Sequence, residues 1–247
     1  DRGRSGLYCA GVAGYSGFMR LAVIPARGGS KRIPHKNIRP FWGKPMIGWS
    51  IEVALKSGCF DKVAVSTDNA EIAEVARHFG AEVPFIRPSD LSDDHATTPP
   101  VIAHATSWYL AQGHTPTEVC CLYATAPFVQ IDDLQKGFAQ LQRSGAQYVF
   151  SATDFAFPIQ RAMYLSDTGR VAMLHPEHAN TRSQDLQETY HDAGQFYWGR
   201  AQAWLDQLPL MGGDAEIIYL PRYRVQDIDT EADWRRAELL FQALKST

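Results

Sequence analysis

Two groups of side chains in this sequence have the types and spacing for chemistry, and they stand at opposite ends of the chain. Near the start, the apolar run Leu21-Ala22-Val23-Ile24 leads through Pro25-Ala26 into Arg27-Gly28-Gly29-Ser30-Lys31-Arg32, with Ile33-Pro34-His35-Lys36-Asn37 following. A strand that ends in a Gly-Gly-Ser turn among cations has the composition of a polyphosphate grip. Gly28 and Gly29 lack a Cβ, so their N–H groups can approach a phosphate closely and their backbone can take positive φ. Arg27, Lys31, Arg32 and Lys36 supply the neutralising charge, and Pro25 and Pro34 stiffen the entry and exit. Neither G-x-x-x-x-G-K-[ST] nor G-x-G-x-x-G occurs in the run, which excludes a P-loop and a dinucleotide fold. Near the end stands Val225-Gln226-Asp227-Ile228-Asp229. Side chains two apart in an extended segment point to one side, so Asp227 and Asp229 can share a hard cation. Alone, D-x-D is more often a cap or a surface pair; beside a polyphosphate loop it reads as a metal pair.

These groups need elements to position them, and the hydrophobic pattern predicts alternating helices and strands. Met46, Ile47, Ile51, Ala54 and Leu55 recur at helical spacing between Pro45 and Gly58. A strand at 62–66 follows, then Asp68 as the cap of a helix carrying Ile72, Val75, Ala76 and Phe79 and ending at Gly80. Next come a strand at 82–86, a polar loop at 87–98 with natural caps, a helix at 99–111 and a buried strand at 118–123. Asp132 and Asp133 open a helix that stops at Gly145, and a strand covers 148–152. A short helix near 201–207, a strand at 217–220 and a final amphipathic helix, boxed by Thr230 and Asp233, complete the pattern. This rhythm implies right-handed crossovers and a mostly parallel sheet covered on both faces. Ligands of such sheets bind beyond the carboxyl ends of the strands, where Arg27, Asp68 and Arg87 all fall. Periodicity fades over 155–187. A hairpin across Asp167-Thr168-Gly169 and a polar stretch at 175–187, too long for a simple connection, read there as a lid or a subunit contact.

At 247 residues, with no internal repeat or low-complexity linker, the chain suits one α/β domain with a small appendage. A net charge of -3 argues against a general nucleic-acid binder and makes the basic loop local, its partner small and anionic. Cys9, Cys59, Cys120 and Cys121 have no C-x-x-C spacing and read as reduced packing residues. No apolar run reaches the roughly eighteen residues of a membrane span, and the cytoplasm is the simplest compartment. Residues 1–18 are Gly-rich and make a poor secretory signal, so they are expected to be a disordered extension ahead of a domain at 19–247 that starts at Met19. His35, His95 and His191 lie near the candidate loops, and none is assigned a catalytic role.

From Met19 onward the chain resembles the nonulosonate cytidylyltransferases, the family of CMP-sialic acid synthetases. Five motifs in order carry the resemblance: Ile24-Pro25-Ala26-Arg27-Gly28-Gly29-Ser30-Lys31, Ile33-Pro34-His35-Lys36-Asn37, Val65-Ser66-Thr67-Asp68, Arg87-Pro88 and Asp227-Ile228-Asp229-Thr230. The resemblance implies a Rossmann-like nucleotidyltransferase fold and transfer of CMP from CTP to a nonulosonic acid. It implies catalytic roles on the triphosphate for Arg27 and Lys36. Ala26, Gly28, Gly29, Ser30, Lys31, Asn37, Arg87, Ala96 and Thr98 would hold the nucleotide, and Asp227 and Asp229 would hold Mg²⁺. It also implies a homodimer whose arm, expected at about 155–190, reaches into the partner's site. Sialic acid synthetases usually have Leu-Gln-Pro-Thr-Ser-Pro where this chain has Leu122-Tyr123-Ala124-Thr125-Ala126-Pro127. That run, with Asn180-Thr181-Arg182-Ser183-Gln184 and His191-Asp192-Ala193-Gly194-Gln195-Phe196-Tyr197, resembles the branch that activates pseudaminic acid. Tyr123, Thr125, Arg182, Gln184, Gln195 and Tyr197 are then the expected sugar contacts, and the stretch 190–198 is either a mixed core strand or a wall of the sugar pocket. The alternatives are an N-acetylneuraminate or legionaminate synthetase and, from another class, a non-catalytic nucleotide-binding protein. Against the last, every cation and carboxylate the chemistry requires is present.

Overall fold

The first strand, β1 (Phe18–Pro25), carries apolar residues on both faces because both are buried. Ala22 and Ile24 enter one core while Leu21 and Val23 enter another. The structure is a computed structural model that describes residues 18–246; residues 1–17 of the expected extension, and Cys9 with them, lie outside the described residues. After β1 come a small antiparallel ribbon of β2 (Pro40–Phe41) and β3 (Lys44–Pro45), helix α1 (Met46–Lys56), strand β4 (Lys62–Ser66) and helix α2 (Ala70–His78). Helix α3 (Thr98–Ala111), strand β5 (Thr115–Leu122), helix α4 (Ile131–Ser144) and strand β6 (Tyr148–Asp154) continue the alternation. The hairpin β7 (Met163–Leu165) and β8 (Val171–Met173) stands apart. The chain then returns through β9 (Tyr190–Arg200), α5 (Ala201–Leu205), β10 (Ala215–Tyr219) and α6 (Glu231–Lys245).

Six strands form one sheet in the order β10-β6-β9-β5-β1-β4. All its pairings are parallel except those of β9, which runs antiparallel to both neighbours. Helices α1, α2 and α4 close one face, and α3 and α5 close the other. The fold is thus the α/β architecture with a mostly parallel central sheet. Cys120 and Cys121 enter opposite cores, as alternation along a strand requires; burial pushes both thiols up in pKa. None of the described helices is long and apolar enough to cross a membrane.

Two local expectations are corrected. The strand expected at 82–86 contracts to a single bridge between Ala64 and Glu82, because Pro84 has no N–H with which to continue the ladder. Asp68 does not cap α2. Asn69 does, its Oδ1 accepting the Ile72 N–H at 3.0 Å, which leaves the Asp68 carboxylate for another use. At α4 the acidic opening takes the form of a capping box between Gln130 and Asp133, and Gly145 closes the helix at φ 72°. Thr230 and Asp233 form the expected box at α6.

A bulge interrupts β9. Phe150 pairs with Tyr197 and Ala152 with Asp192, so the stretch 193–196 faces Ser151 alone. The Ser151 hydroxyl accepts the Phe196 N–H at 3.1 Å. Bulges of this kind re-aim side chains, and here Gln195 and Asp192 are the ones redirected. A third cluster sits beyond the sheet's carboxyl edge. Trp234, Ala237 and Phe241 of α6 pack on Ile33, Phe41, Met46, Phe128 and Ile228, with Phe41 and Trp234 edge to face at 5.6 Å. It fastens the end of the chain to the segment after the basic loop.

Candidate active site

The basic loop leaves β1 at the carboxyl edge of the sheet. Ala26 extends the β1–β4 pairing by donating its N–H to the Ser66 carbonyl at 2.9 Å. The Gly28 N–H then donates to Asp68 Oδ1 at 2.8 Å, the use to which that carboxylate is put. Neither Gly28 nor Gly29 takes the positive φ anticipated for them. Gly28 serves close approach instead, since a Cβ there would stand 2.9 Å from Asn69 Nδ2 and 3.0 Å from Asn69 Cβ. Asn37, buried, latches the loop to the first helix. Its Nδ2 donates to the Arg27 carbonyl at 3.1 Å, and its own carbonyl accepts the Ile47 N–H at 2.8 Å.

The four cations all meet carboxylates. Arg27 Nη1 bonds Asp94 Oδ1 at 2.6 Å, and Lys31 Nζ pairs with the other oxygen of Asp94. Lys31, then Arg27, hold the Asp94 carboxyl down to about 2. Asp94 is therefore an internal anion lodged on the two cations. Arg32 Nη2 meets Asp229 Oδ2 at 3.1 Å. Lys36 Nζ donates to the Ile228 carbonyl at 2.8 Å and to Asp229 Oδ1 at 3.4 Å. The loop near one end of the chain and the carboxylate pair near the other thus meet at one junction.

Two adjoining cavities open from that junction, of about 260 Å³ and about 360 Å³, and Arg27, Lys36, Asn37 and Asp229 line both. The smaller runs past Asp227, Arg87, Ala96 and Thr98 to Tyr123 and Thr125. The larger follows Ser30, Lys31, Arg32 and Asp94. A concave nucleoside-sized space joined to a cation-lined trough is the shape a nucleoside triphosphate needs.

Behind this lining several expected contacts are redistributed. Arg87, 4% exposed, gives Nη2 to the Ser66 carbonyl at 2.7 Å, Nε to Ser66 Oγ at 3.1 Å and Nη1 to the Leu91 carbonyl at 3.2 Å. Burial lowers its pKa, against the pull of Asp68. It lines the cavity but braces the surrounding loops. Tyr123 touches Thr98 Oγ1 at 3.3 Å, and burial raises its phenol pKa. Tyr197 lies behind Tyr123, ring centroids 5.2 Å apart, and donates to Asp192 Oδ2 at 2.5 Å; burial, then its phenol and carboxylate neighbours, push its pKa up. Gln195 turns away from the cavity and donates Nε2 to the Arg224 carbonyl at 2.7 Å. Arg182 and Gln184 are exposed on the arm, Arg182 Nε bonded to Asp185 at 2.7 Å, and neither lines these cavities. Asp94 and Asp68 are the carboxylates that hold the basic loop; sequence reasoning put Asp68 on the rim, but as a helix cap, and gave Asp94 no part. Asp94 sits inside Asp93-Asp94-His95-Ala96, a stretch with all the marks of a cap. Asp93 instead closes a local turn, its Oδ1 accepting the His95 and Ala96 N–H groups at 2.9 and 2.8 Å, while α3 starts behind Thr97 with no side-chain cap.

Asp227 and Asp229 fit a hard divalent cation. Lost solvent around the Asp227 carboxyl, and after it the charge of Asp229, raise the Asp227 pKa, with Lys36 pulling the other way. Among the described residues no group of three or more His, Cys, Asp or Glu gathers for a metal. Two carboxylates beside a cation-lined cavity are a donor set of the kind that takes Mg²⁺, which is commonly held by one or two carboxylates and the substrate's own phosphates.

Comparison with known proteins agrees with this geometry. Residues 21–207 match the family described as Cytidylyltransferase. A pseudaminic acid cytidylyltransferase of Campylobacter jejuni subsp. jejuni serotype O:2 is 46% identical over 222 residues, covering 90% of this chain and 96% of the relative. The N-acylneuraminate cytidylyltransferase A of Danio rerio is 33% identical over 220 residues, covering 88% of this chain and 49% of the relative. Among solved structures, a CMP:2-keto-3-deoxy-manno-octonic acid synthetase complexed with CTP superposes with a TM-score of 0.67 over 91% of this chain and 98% of its own, at 18% identity. That last similarity speaks for the fold.

Proposed function

Because the chain belongs to the cytidylyltransferase family, we propose that it transfers CMP from CTP to the anomeric hydroxyl of a nonulosonic acid, pseudaminic acid, and releases pyrophosphate. The observation that carries this reading is the junction of Lys36 with Asp229, which sets the basic trough and the carboxylate pair at the mouth of a nucleoside-sized cavity. Identity to the Campylobacter enzyme, well above that to the neuraminate enzyme, favours pseudaminic acid as acceptor.

In this reading the base and ribose lie between Arg87 and the 96–98 turn, and the triphosphate takes the place of Asp94 on Arg27 and Lys31. Nucleotidyl transfer needs positioning and charge neutralisation more than covalent chemistry. Arg27 and Lys36 would meet the charge that builds on the bridging and leaving oxygens as the C2 hydroxyl attacks the α-phosphorus. The N–H groups of the glycine loop would add backbone donors. Asp227 and Asp229 would hold Mg²⁺, which when bound lowers the pKa of a coordinated hydroxyl and neutralises phosphate charge. Tyr123 and Thr125 would face the sugar, with Tyr197 and Asp192 fixing the Tyr123 phenol from behind.

The arm supplies the second half of the proposal. Phe157, Leu165 and Met163 on it are 83%, 70% and 68% exposed, an apolar surface that a partner copy would cover. We place Arg182 and Gln184, which project from the same arm, in the partner's site of a homodimer working in the cytoplasm, where CTP is made. Light scattering is expected to give a two-chain mass for the intact protein and a one-chain mass for Leu165→Asp; a one-chain mass for both would remove the dimer.

Pyrophosphate release from CTP, measured with pseudaminic, N-acetylneuraminic and N,N'-diacetyllegionaminic acids side by side, tests the acceptor. Pseudaminic acid is expected to give kcat/KM about 10²-fold or more above the others, the scale that pocket shape alone reaches, with dedicated hydrogen bonds able to add to it. Equal rates would withdraw the substrate assignment.

A further inference from the structure

The carboxylate pair sits on a stretch that belongs to no strand or helix, between a short turn at Arg222–Arg224 and the cap of α6. Its position therefore depends on how its two ends are fixed. The far end is held by the capping box, with the Asp229 N–H donating to Asp233 Oδ2 at 3.2 Å, and by Ile228, buried in the third cluster. The near end is held by Arg224. The guanidinium grips Asp133 with two bonds, Nη1 to Oδ2 at 2.6 Å and Nη2 to Oδ1 at 3.0 Å, and the side chains are only 11% and 5% exposed. Asp133 is itself fixed at the start of α4, where it accepts the Gln130 N–H at 2.9 Å. The Arg224 carbonyl accepts Gln195 Nε2 from the β9 bulge at 2.7 Å. One residue is thus tied through its side chain to helix α4 and through its main chain to strand β9, three residues ahead of Asp227.

A buried ion pair is a poor device for stability alone, because removing both charges from water offsets most of their attraction. A two-point, planar grip is a good device for setting position. We propose that Arg224, clamped by Asp133 and Gln195, is a positioning residue for the cation site: it sets where Asp227 and Asp229 stand relative to the basic loop. This rests on the reading of those two carboxylates as the metal pair. It also gives Gln195 a role other than sugar contact.

The test uses Mn²⁺ as probe, with CTP and no acceptor, in the full chain, read by electron paramagnetic resonance beside thermal unfolding. Gln195→Met keeps the volume and drops the bond to the Arg224 carbonyl; Arg224→Lys keeps the charge and drops the two-point grip. Both are expected to raise the Mn²⁺ dissociation constant about 10–100-fold, the usual loss when a partner behind the ligands is removed, while the KM for CTP, read separately by pyrophosphate release with the sugar acid present and Mg²⁺ saturating, stays within about twofold of wild type. Arg224→Lys leaves a buried carboxylate poorly matched; if that variant does not fold, Gln195→Met decides. Wild-type Mn²⁺ affinity in Gln195→Met, with any loss confined to the unfolding temperature, would reduce the clamp to a structural tie and overturn the inference. Asp229→Asn is run in parallel. If it weakens Mn²⁺ while the clamp variants do not, the inference falls alone; if Asp229→Asn leaves Mn²⁺ affinity unchanged, the metal reading falls and takes the inference with it.

Discussion

Arg27→Ala is expected to lower kcat by about 10²–10³ while the protein keeps its fold and unfolding temperature. The expected loss is large because of where the guanidinium sits. Arg27 lines both cavities, so on the proposed reading it would stand where a bound triphosphate passes from nucleoside to phosphate chain, next to the bond that breaks. A preorganised donor aimed at developing charge is worth ~3–4 kcal/mol in a site that excludes water. The fold should tolerate the change, since the side chain's contact is an exposed one with Asp94, and exposed ion pairs contribute little to stability. The loop also keeps its shape, because its anchors are the Gly28 N–H on Asp68 and Asn37 on the Arg27 carbonyl, neither of which uses the Arg27 side chain. Steady-state kinetics with circular dichroism of the variant reads both halves. Near-wild-type turnover would remove the loop from the mechanism.

Asp229→Asn is the second variant with a large expected effect, and its signature differs. The amide preserves shape but removes the charge that faces Lys36, Arg32 and the cation site at once. The activity curve against Mg²⁺ should move to higher metal concentration by at least about 10–100-fold, the loss that even an outer partner of a metal ligand produces. Turnover should recover in part at saturating Mg²⁺, because Asp227 remains. Lys36 keeps its bond to the Ile228 carbonyl, so the KM for CTP is expected to move less than the metal requirement. A titration curve superimposable on wild type would count against the metal pair.

The elements that bury apolar residues with clear periodicity were legible in the sequence: β4 at 62–66, the Gly145 stop of α4 and the capping box of α6 fall where spacing and capping chemistry put them. What sequence could not show is competition between neighbours for one role. Asp68 and Asn69 are both good caps, and only the approach of Gly28 decides that Asn69 caps the helix while Asp68 holds the loop. Asp94 was hidden for the same reason, since Asp93 and Asp94 are interchangeable on paper. The meeting of Lys36 with Asp229 depends on the third cluster, in which Phe41 and Met46 pack on Trp234 and Phe241 of the last helix; nothing local to either motif encodes it. Gln195 was placed by its neighbours in the run 191–197, whereas the β9 bulge turns it toward Arg224. The basic loop and the carboxylate pair stood out in the sequence because residue type alone limits what they can do. The contacts behind them were not, because they are made by packing.

Cytidylyl transfer can be watched by ³¹P nuclear magnetic resonance of the protein with CTP, Mg²⁺ and pseudaminic acid. The α-phosphorus signal of CTP is expected to be replaced by a sugar phosphodiester while pyrophosphate appears in equal amount, and neither change is expected when the sugar acid is left out. CTP that stays intact with the acid present, or that breaks down to CMP and pyrophosphate with no phosphodiester formed, would contradict that transfer.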